Sequence, residues 1–224
     1  MKRYVLIVAG GKGLRMGMDL PKQFLPIAGK PVLMHTLERF YQWDRLAEII
    51  LVLPEEHQFY WKMLCEEIGF QLPHTIANGG LTRFESVRNG LAFVQEPGLI
   101  AVHDGVRPFV TVEVIKSCFA RAAITGTAIP VLQMVDSIRE LGADGKSAPV
   151  DRSRFVAVQT PQVFRSDILL ESYKNPFRPE FTDDASVVEA GGYTIYTVKG
   201  NTENIKITSP TDLLVAKAFL YNSL

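Results

Sequence analysis

Tyr4-Val5-Leu6-Ile7-Val8-Ala9 is an unbroken apolar run that ends in Gly10-Gly11-Lys12-Gly13-Leu14-Arg15-Met16-Gly17. Such a run, closed by glycines, reads as a strand buried on both faces, the form a parallel sheet requires. The small residues after it let main-chain N–H groups approach a phosphate closely. Cations follow at Arg15 and Lys22. A dinucleotide fingerprint needs glycine or alanine where Met16 stands and an acidic residue about twenty positions further on, and neither is there. A Walker loop is excluded as well, because no Gly-Lys-Ser or Gly-Lys-Thr closes the turn. The glycines alone fit a tight structural turn equally well; the added cations point to an anion.

Outward from this turn, strand and helix signals alternate. Val32, Leu33, Thr36, Leu37 and Phe40 keep helical spacing behind Pro31, a residue suited to a first helical turn. Residues 49–53 read as a second strand, 55–68 as a helix stopped by Gly69, and 74–77 as a third, shorter strand. Thr82-x-x-Glu85 is a capping box that opens a helix through Phe93. A strand at 99–102, a helix capped by Thr111 and running through Ile124, and a strand at 127–132 continue the pattern. The alternation predicts an α/β three-layer sandwich around a mostly parallel, Rossmann-like sheet, with the ligand site beyond the carboxyl ends of the strands. The loops after Ala9, Ala77 and Val102 then meet at one edge.

Between 133 and 158 the rhythm breaks into short pieces, 135–140 and 147–151, around the hairpin signal Gly142-Ala143-Asp144-Gly145. This stretch reads as a protruding β-arm that either folds back on its own sheet or pairs with another subunit. Helices near 166–173 and 182–190, a strand at 193–198, and a last helix opened by Ser209, Pro210 and Asp212 follow. No repeat or linker interrupts residues 1–224, so a single domain is expected.

Composition removes several classes of function. With 47% hydrophobic residues, the 224-residue chain can bury a sizeable core. Lys plus Arg equals Asp plus Glu, at 24 each, so no net field favours nucleic acid or an anionic membrane, and an anionic ligand must be held by a local cluster. Cys65 and Cys118 lack metal or redox spacing and read as reduced core thiols. His35, His57, His74 and His103 are too scattered for a zinc site. No run has transmembrane length and no signal segment opens the chain, so a soluble, cytoplasmic protein is expected.

Specific motifs extend from the opening loop to the C-terminal third. Ala9-Gly10-Gly11-Lys12-Gly13-Leu14-Arg15-Met16 is followed by Pro21-Lys22-Gln23-Phe24-Leu25 and Gly29-Lys30-Pro31-Val32. Then come Gly79-Gly80-x-x-Arg83-x-x-Ser86-Val87, His103-Asp104-x-x-Arg107-Pro108, Asp151-Arg152-Ser153, Gln159-Thr160-Pro161-Gln162, Thr182-Asp183-Asp184-Ala185-Ser186 and Asn204-Ile205-Lys206-Ile207-Thr208. In this order they resemble the methylerythritol-phosphate cytidylyltransferases over nearly the whole chain. The resemblance implies a nucleotidyltransferase in which a phosphate monoester oxygen attacks the α-phosphorus of CTP and pyrophosphate leaves. Such a monoester is largely dianionic at neutral pH, so the reaction calls for cations, not a general base. The lack of a Ser-His-Asp or paired-carboxylate signature agrees with that.

By resemblance, Arg15 and Lys22 grip the triphosphate, helped by N–H groups from Gly11 to Gly13, and Gly10 also binds the nucleotide. Gly80, Arg83 and Ser86 form the cytosine pocket, although the capping box alone would also leave Arg83 facing solvent. Asp104 orients Mg2+ or contacts substrate hydroxyls beside Gly105, and Arg107 either braces that loop or touches substrate. Arg152 and Lys206 hold the acceptor phosphate, Thr182 donates a hydroxyl, and Thr160 supports the pocket, while His103 is structural. The arm implies a homodimer that lends Ser137 to the partner's site. Glycine at 10 and Gly105-Val106 replace the family's more usual alanines, and the stretch from Pro130 to Ser137 is longer than usual. Ribitol 5-phosphate cytidylyltransferases share the opening loop, the His-Asp-x-x-Arg-Pro motif and the Thr-Asp-Asp segment. A non-catalytic nucleotide-binding module could dispense with Arg152 and Lys206, which this chain keeps.

Overall fold

The computed structural model describes residues 1–10 and 20–221. The expected phosphate contacts Gly11, Gly13 and Arg15 lie outside the described residues. Strand β1 covers Lys2–Val8, and after a 3-10 turn at Lys22–Phe24 a small hairpin, β2 (Pro26–Ile27) and β3 (Lys30–Pro31), leads into α1 (Val32–Trp43). Next come β4 (Glu48–Leu53), α2 (Glu55–Ile68), β5 (Thr75–Asn78), α3 (Arg83–Leu91), β6 (Gly98–Asp104), α4 (Val112–Thr125) and β7 (Thr127–Gln133). The arm contributes β8 (Arg139–Leu141) and β9 (Ser147–Pro149), followed by β10 (Val156–Val158) and β11 (Gln162–Arg165). Helices α5 (Ser166–Ser172) and α6 (Asp184–Ala190), strand β12 (Thr197–Lys199) and helix α7 (Pro210–Tyr221) complete the described chain.

Among the described residues the main sheet has eight strands, ordered β5, β4, β1, β6, β11, β7, β10, with β12 also paired to β7. β1 runs parallel to β4 and β6, and β4 parallel to β5. Alternation along β1 serves two cores. Val5 and Ile7 pack with Leu33, Leu37 and Phe40 of α1 and Ile115 of α4, whereas Tyr4 and Leu6 pack with Phe84 and Val87 of α3 and with Leu169 of α5 and Val188 of α6. This is why the opening run is apolar at every position. Each fully buried aliphatic side chain of this kind stabilises the fold by about 1.5–3 kcal/mol.

Local signals place the helix ends. Gly69 stops α2 with φ 70, and Thr111 Oγ1 accepts the Val114 N–H at the start of α4. Thr82 Oγ1 accepts the Glu85 N–H at 3.1 Å and Glu85 Oε2 accepts the Thr82 N–H at 3.1 Å, a complete capping box. Asp212 Oδ2 accepts the N–H groups of Thr208 and Ser209, each at 2.8 Å, while Ser209 Oγ accepts the Asp212 N–H.

Three expectations change. A strand that the sequence does not anticipate follows the arm: Val163 pairs with Ala101 and Ala128, so β11 lies antiparallel between β6 and β7. Its buried apolar core is only Val163 and Phe164, too short a run to register as a strand. The expected strand at 193–198 narrows to Thr197–Lys199, because Thr127 Oγ1 donates to Thr194 O and accepts the Tyr196 N–H where a ladder would otherwise form. The helix expected through Phe93 ends at Leu91.

The hairpin of the arm does not fold back on the main sheet, whereas the end of the 133–158 stretch does, β10 pairing antiparallel with β7. β8 and β9 pair only with each other, Glu140 opposite Ala148, around a turn in which Gly145 takes φ 79. Every residue of both strands is exposed.

Replacing Thr82 with alanine removes the α3 cap and should cost about 1 kcal/mol. Urea unfolding should show a lower midpoint with an unchanged slope.

Candidate functional site

The parallel register brings the carboxyl ends of β1, β4, β5 and β6 side by side, with Val8 opposite Val52 and Asp104 and with Leu53 opposite Asn78. Main-chain bonds then fix the turns beyond them. The Ala9 N–H donates to Val52 O at 3.0 Å, Gly79 N–H to Leu53 O at 2.8 Å, and Gly105 N–H to Val8 O at 2.9 Å. At Gly105 a Cβ would stand 2.9 Å from Ala9 Cβ, and its carbonyl accepts from Thr36 Oγ1 at 3.0 Å. Both main-chain groups of this buried glycine are therefore occupied. Gly105 provides close packing at this turn and lines neither of the two cavities at this edge.

Two cavities open at this edge. The first, about 210 Å³, is lined by Gly10, Lys22, Gly80, Arg83, Ser86, Asp104 and Lys206 with their neighbours. The second, about 290 Å³, is lined by Arg83, Asp104, Arg107, Gln159, Thr160, Thr182 and Lys206 among others. Arg83, Asp104 and Lys206 line both and form the wall between them.

In the first cavity, Lys22 is set by its neighbours in the chain. Buried Gln23 donates from Nε2 to Ala9 O at 2.9 Å, and the Phe24 ring packs against His57, Tyr60 and Trp61. Across from it, the Gly80 N–H donates to Ser86 Oγ at 3.0 Å, and Ser86 Oγ donates to Thr82 O at 2.9 Å. A Cβ at position 80 would lie 2.3 Å from Glu85 Cβ, so only glycine lets the loop lie flat on α3.

The shared wall is built around one carboxylate. Asp104 Oδ2 accepts from Lys206 Nζ at 3.0 Å and from Arg107 Nε at 3.1 Å, and Arg83 Nε stands 3.9 Å from Oδ1. Burial opposes the Asp104 charge, but Arg83, Lys206 and Arg107 outweigh it and hold the carboxyl well below the usual range. Arg83 is not solvent-facing. Its guanidinium makes two bonds to Asp184, at 2.9 and 2.6 Å, and Asp184 is fully buried.

Asp104 does not fit a resident divalent-cation site. Three cations surround it, and among the described residues no group of three or more His, Cys, Asp or Glu side chains could hold a metal.

Behind the wall, hydrogen-bond direction determines a tautomer. His103 Nε2 lies 3.0 Å from Arg107 O, a pure acceptor, so Nε2 carries the proton. Thr160 Oγ1 then donates to Nδ1 at 3.0 Å and accepts the Asp104 N–H at 3.1 Å. Asn204, also buried, donates from Nδ2 to Thr160 O at 2.8 Å, while its main-chain carbonyl accepts from Arg107 at 2.8 Å. That double tie positions Lys206 two residues later. Asn204 and Asp184 stand inside their motifs without an expected task; both are polar yet buried, which their polar neighbours Glu203 and Asp183 do not signal.

Of the expected site residues, Gly10, Lys22, Gly80, Arg83, Ser86, Asp104, Arg107, Thr182 and Lys206 line one or both cavities. Arg152 and Ser137 line neither; both are exposed, and Arg152 donates to the carbonyl of Val135 within the arm region.

The sequence pattern of the 2-C-methyl-D-erythritol 4-phosphate cytidylyltransferase family matches residues 4–222. The chain belongs to that family. It is 58% identical over 220 residues to the 2-C-methyl-D-erythritol 4-phosphate cytidylyltransferases of Bacteroides thetaiotaomicron and Bacteroides fragilis, covering 98% of this chain and 100% of each of theirs. The crystal structure of the enzyme of that name from Thermus thermophilus superposes with a TM-score of 0.80 at 32% identity, over 99% of this chain and 100% of that one. Among the described residues no helix is long and apolar enough to cross a membrane.

In this member of the family, burial pushes the His103 imidazole down to about 4. The unfolded chain takes up that proton near 6.5 and the folded one does not, so stability present above 6.5 is lost as pH falls toward 4, by up to about 1.4 kcal/mol per pH unit. An NMR titration should find the His103 ring neutral at pH 5.5. Ordinary titration near 6.5 would refute the assignment.

Proposed function

We propose that this chain transfers the cytidylyl group of CTP to 2-C-methyl-D-erythritol 4-phosphate and releases pyrophosphate, in a soluble, cytoplasmic setting. The observation that carries this proposal is the pair of cavities sharing the Arg83–Asp104–Lys206 wall, since two anionic substrates must meet in line across one boundary.

CTP takes the first cavity. The main chain at Gly10 and Gly80, with Ser86 behind it, reads the base, and Lys22 with Arg15, Gly11 and Gly13 holds the triphosphate. The acceptor takes the second, where Lys206 and Arg107 meet its phosphate, Thr182 supplies a hydroxyl, and Asp104 faces its hydroxyls. An oxygen of the acceptor phosphate attacks the α-phosphorus; the new P–O bond forms as the bond to the pyrophosphate oxygen breaks. That oxygen needs no base, because the monoester carries about −1.5 to −2 charge at neutral pH. Lys22 neutralises charge that accumulates on the transferring and leaving phosphates, so its contact strengthens in the transition state. A Mg2+ ion arriving with CTP would be held by the nucleotide's own phosphate oxygens and would neutralise part of their charge; Asp104 stays with its cations.

Arg152 and Ser137 act across a homodimer in which the arm of one chain reaches the second cavity of the other. The exposed apolar side chains Val135, Phe155, Val156 and Val158 beside the arm support such pairing.

With CTP, pyrophosphate release should be fast on methylerythritol phosphate and slow on ribitol 5-phosphate. Release on ribitol phosphate alone would overturn the acceptor assignment. Lys22→Ala should lower kcat by about 10²–10³-fold with a small change in CTP affinity, as expected for a group that stabilises developing charge. Arg152→Ala should raise the acceptor KM. Mixing Lys22→Ala with Arg152→Ala chains should restore activity that neither has alone, since mixed dimers regain one intact site; no gain on mixing would place Arg152 in its own subunit's site.

A further inference from the structure

The guanidinium of Arg83 sits between two carboxylates that do different work. Asp104 is 3.9 Å away on the cavity side, while Asp184 grips it with two bonds at 2.9 and 2.6 Å from behind. Asp184 is in turn fixed by Tyr173, whose hydroxyl donates to Oδ1 at 2.6 Å. Asp184 is fully buried and Tyr173 is 4% exposed, and neither lines the first or the second cavity. The surrounding contacts are aromatic: the Phe84 ring stacks on Tyr173 with centroids 4.7 Å apart and on Phe181 at 5.9 Å. The backbone of α3 is held separately by its own capping box, so the ion pair is not needed to form the helix. It does decide where Arg83 points.

We infer that Asp184, braced by Tyr173, is a positioning residue that draws Arg83 back from Asp104 and so leaves that carboxylate to Lys206 and Arg107 in the acceptor half of the site. Three cations compete for Asp104, which has a single negative charge. Neutralising Asp184 leaves Arg83 with Asp104 as the carboxylate in reach, and the shift needed is short. Arg83 would then close on Oδ1 and loosen the carboxylate's hold on Lys206 Nζ and Arg107 Nε. The nucleotide half keeps Gly80 and Ser86, whose hydrogen bonds run to each other and to Thr82.

This assignment rests on the reaction proposed above, and its test separates the two. Steady-state kinetics on the full-length protein would compare wild type with Asp184→Asn and Tyr173→Phe, varying CTP and methylerythritol phosphate in turn. Expected for Asp184→Asn is a rise of about tenfold or more in acceptor KM with CTP KM changed by less than about threefold, the order expected when one charge-assisted contact is lost. Tyr173→Phe should shift the same constant in the same direction by less. Leu91→Ala serves as the control: it removes a buried apolar side chain from the last turn of α3, at the opposite end of the helix from Arg83, and should lower the melting temperature without separating the two KM values. If Asp184→Asn does not fold, Tyr173→Phe carries the test alone. Equal KM values for wild type and both variants, or a CTP KM that rises as much as the acceptor KM, would overturn the inference. A wild-type protein inactive with both substrates would instead overturn the reaction.

Discussion

The carboxylate of Asp104 is the group on which the rest of the site depends. It ends the central strand β6, and the side chains that reach it come from places far apart in the sequence: Arg83 at the start of α3, Arg107 in the following turn, and Lys206 in the C-terminal segment. Like charges gathered this closely repel, and without a counter-charge they would spread apart or draw away into water. One buried anion lets cations converge on a common wall while the chain as a whole carries equal numbers of acidic and basic residues. The local positive field is made by geometry, not by composition.

That geometry descends from the sheet. Parallel pairing of β1 with β4 and β6 puts several strand ends at one edge, and the absence of a side chain at Gly105 lets the turn after β6 lie against Ala9. Dispersion and burial in two cores hold β1 in register, since alternate residues face opposite helical layers. A shift of one residue would exchange those faces and move Asp104 away from Val8. The packing that stabilises the fold and the alignment that makes the site are therefore the same constraint.

Much of this was legible in the residues. The opening apolar run, the capping box at Thr82, the stop at Gly69 and the strand expected at 99–102 carry local chemistry that acts within a few positions, and the structure follows them, extending the last to Gly98–Asp104. What could not be read was made by contacts across about a hundred residues. Arg83 looked able to face solvent because nothing near it in the chain shows Asp184, 101 positions later. β11 was hidden for a related reason: its two central apolar residues are strand-like only because β6 and β7 leave a gap that they fill. Asn204 likewise gains meaning only through Thr160 and Arg107.

The ion pairs of the wall also bear on which anion can enter. Lys206 Nζ lies 3.0 Å from Asp104 Oδ2, so any incoming group competes with a carboxylate already in place. A singly charged ligand gains little by that exchange, because it would replace one anion by another of equal charge and strand Asp104 in a buried setting. A phosphate monoester brings about −1.5 to −2 charge and three acceptor oxygens, enough to engage Lys206 and Arg107 while Asp104 keeps part of its cation shell or turns to a substrate hydroxyl. In the proposed reaction the buried carboxylate would thus set a threshold, disfavouring every anion in the cleft but least the doubly charged, many-armed group that the transfer requires.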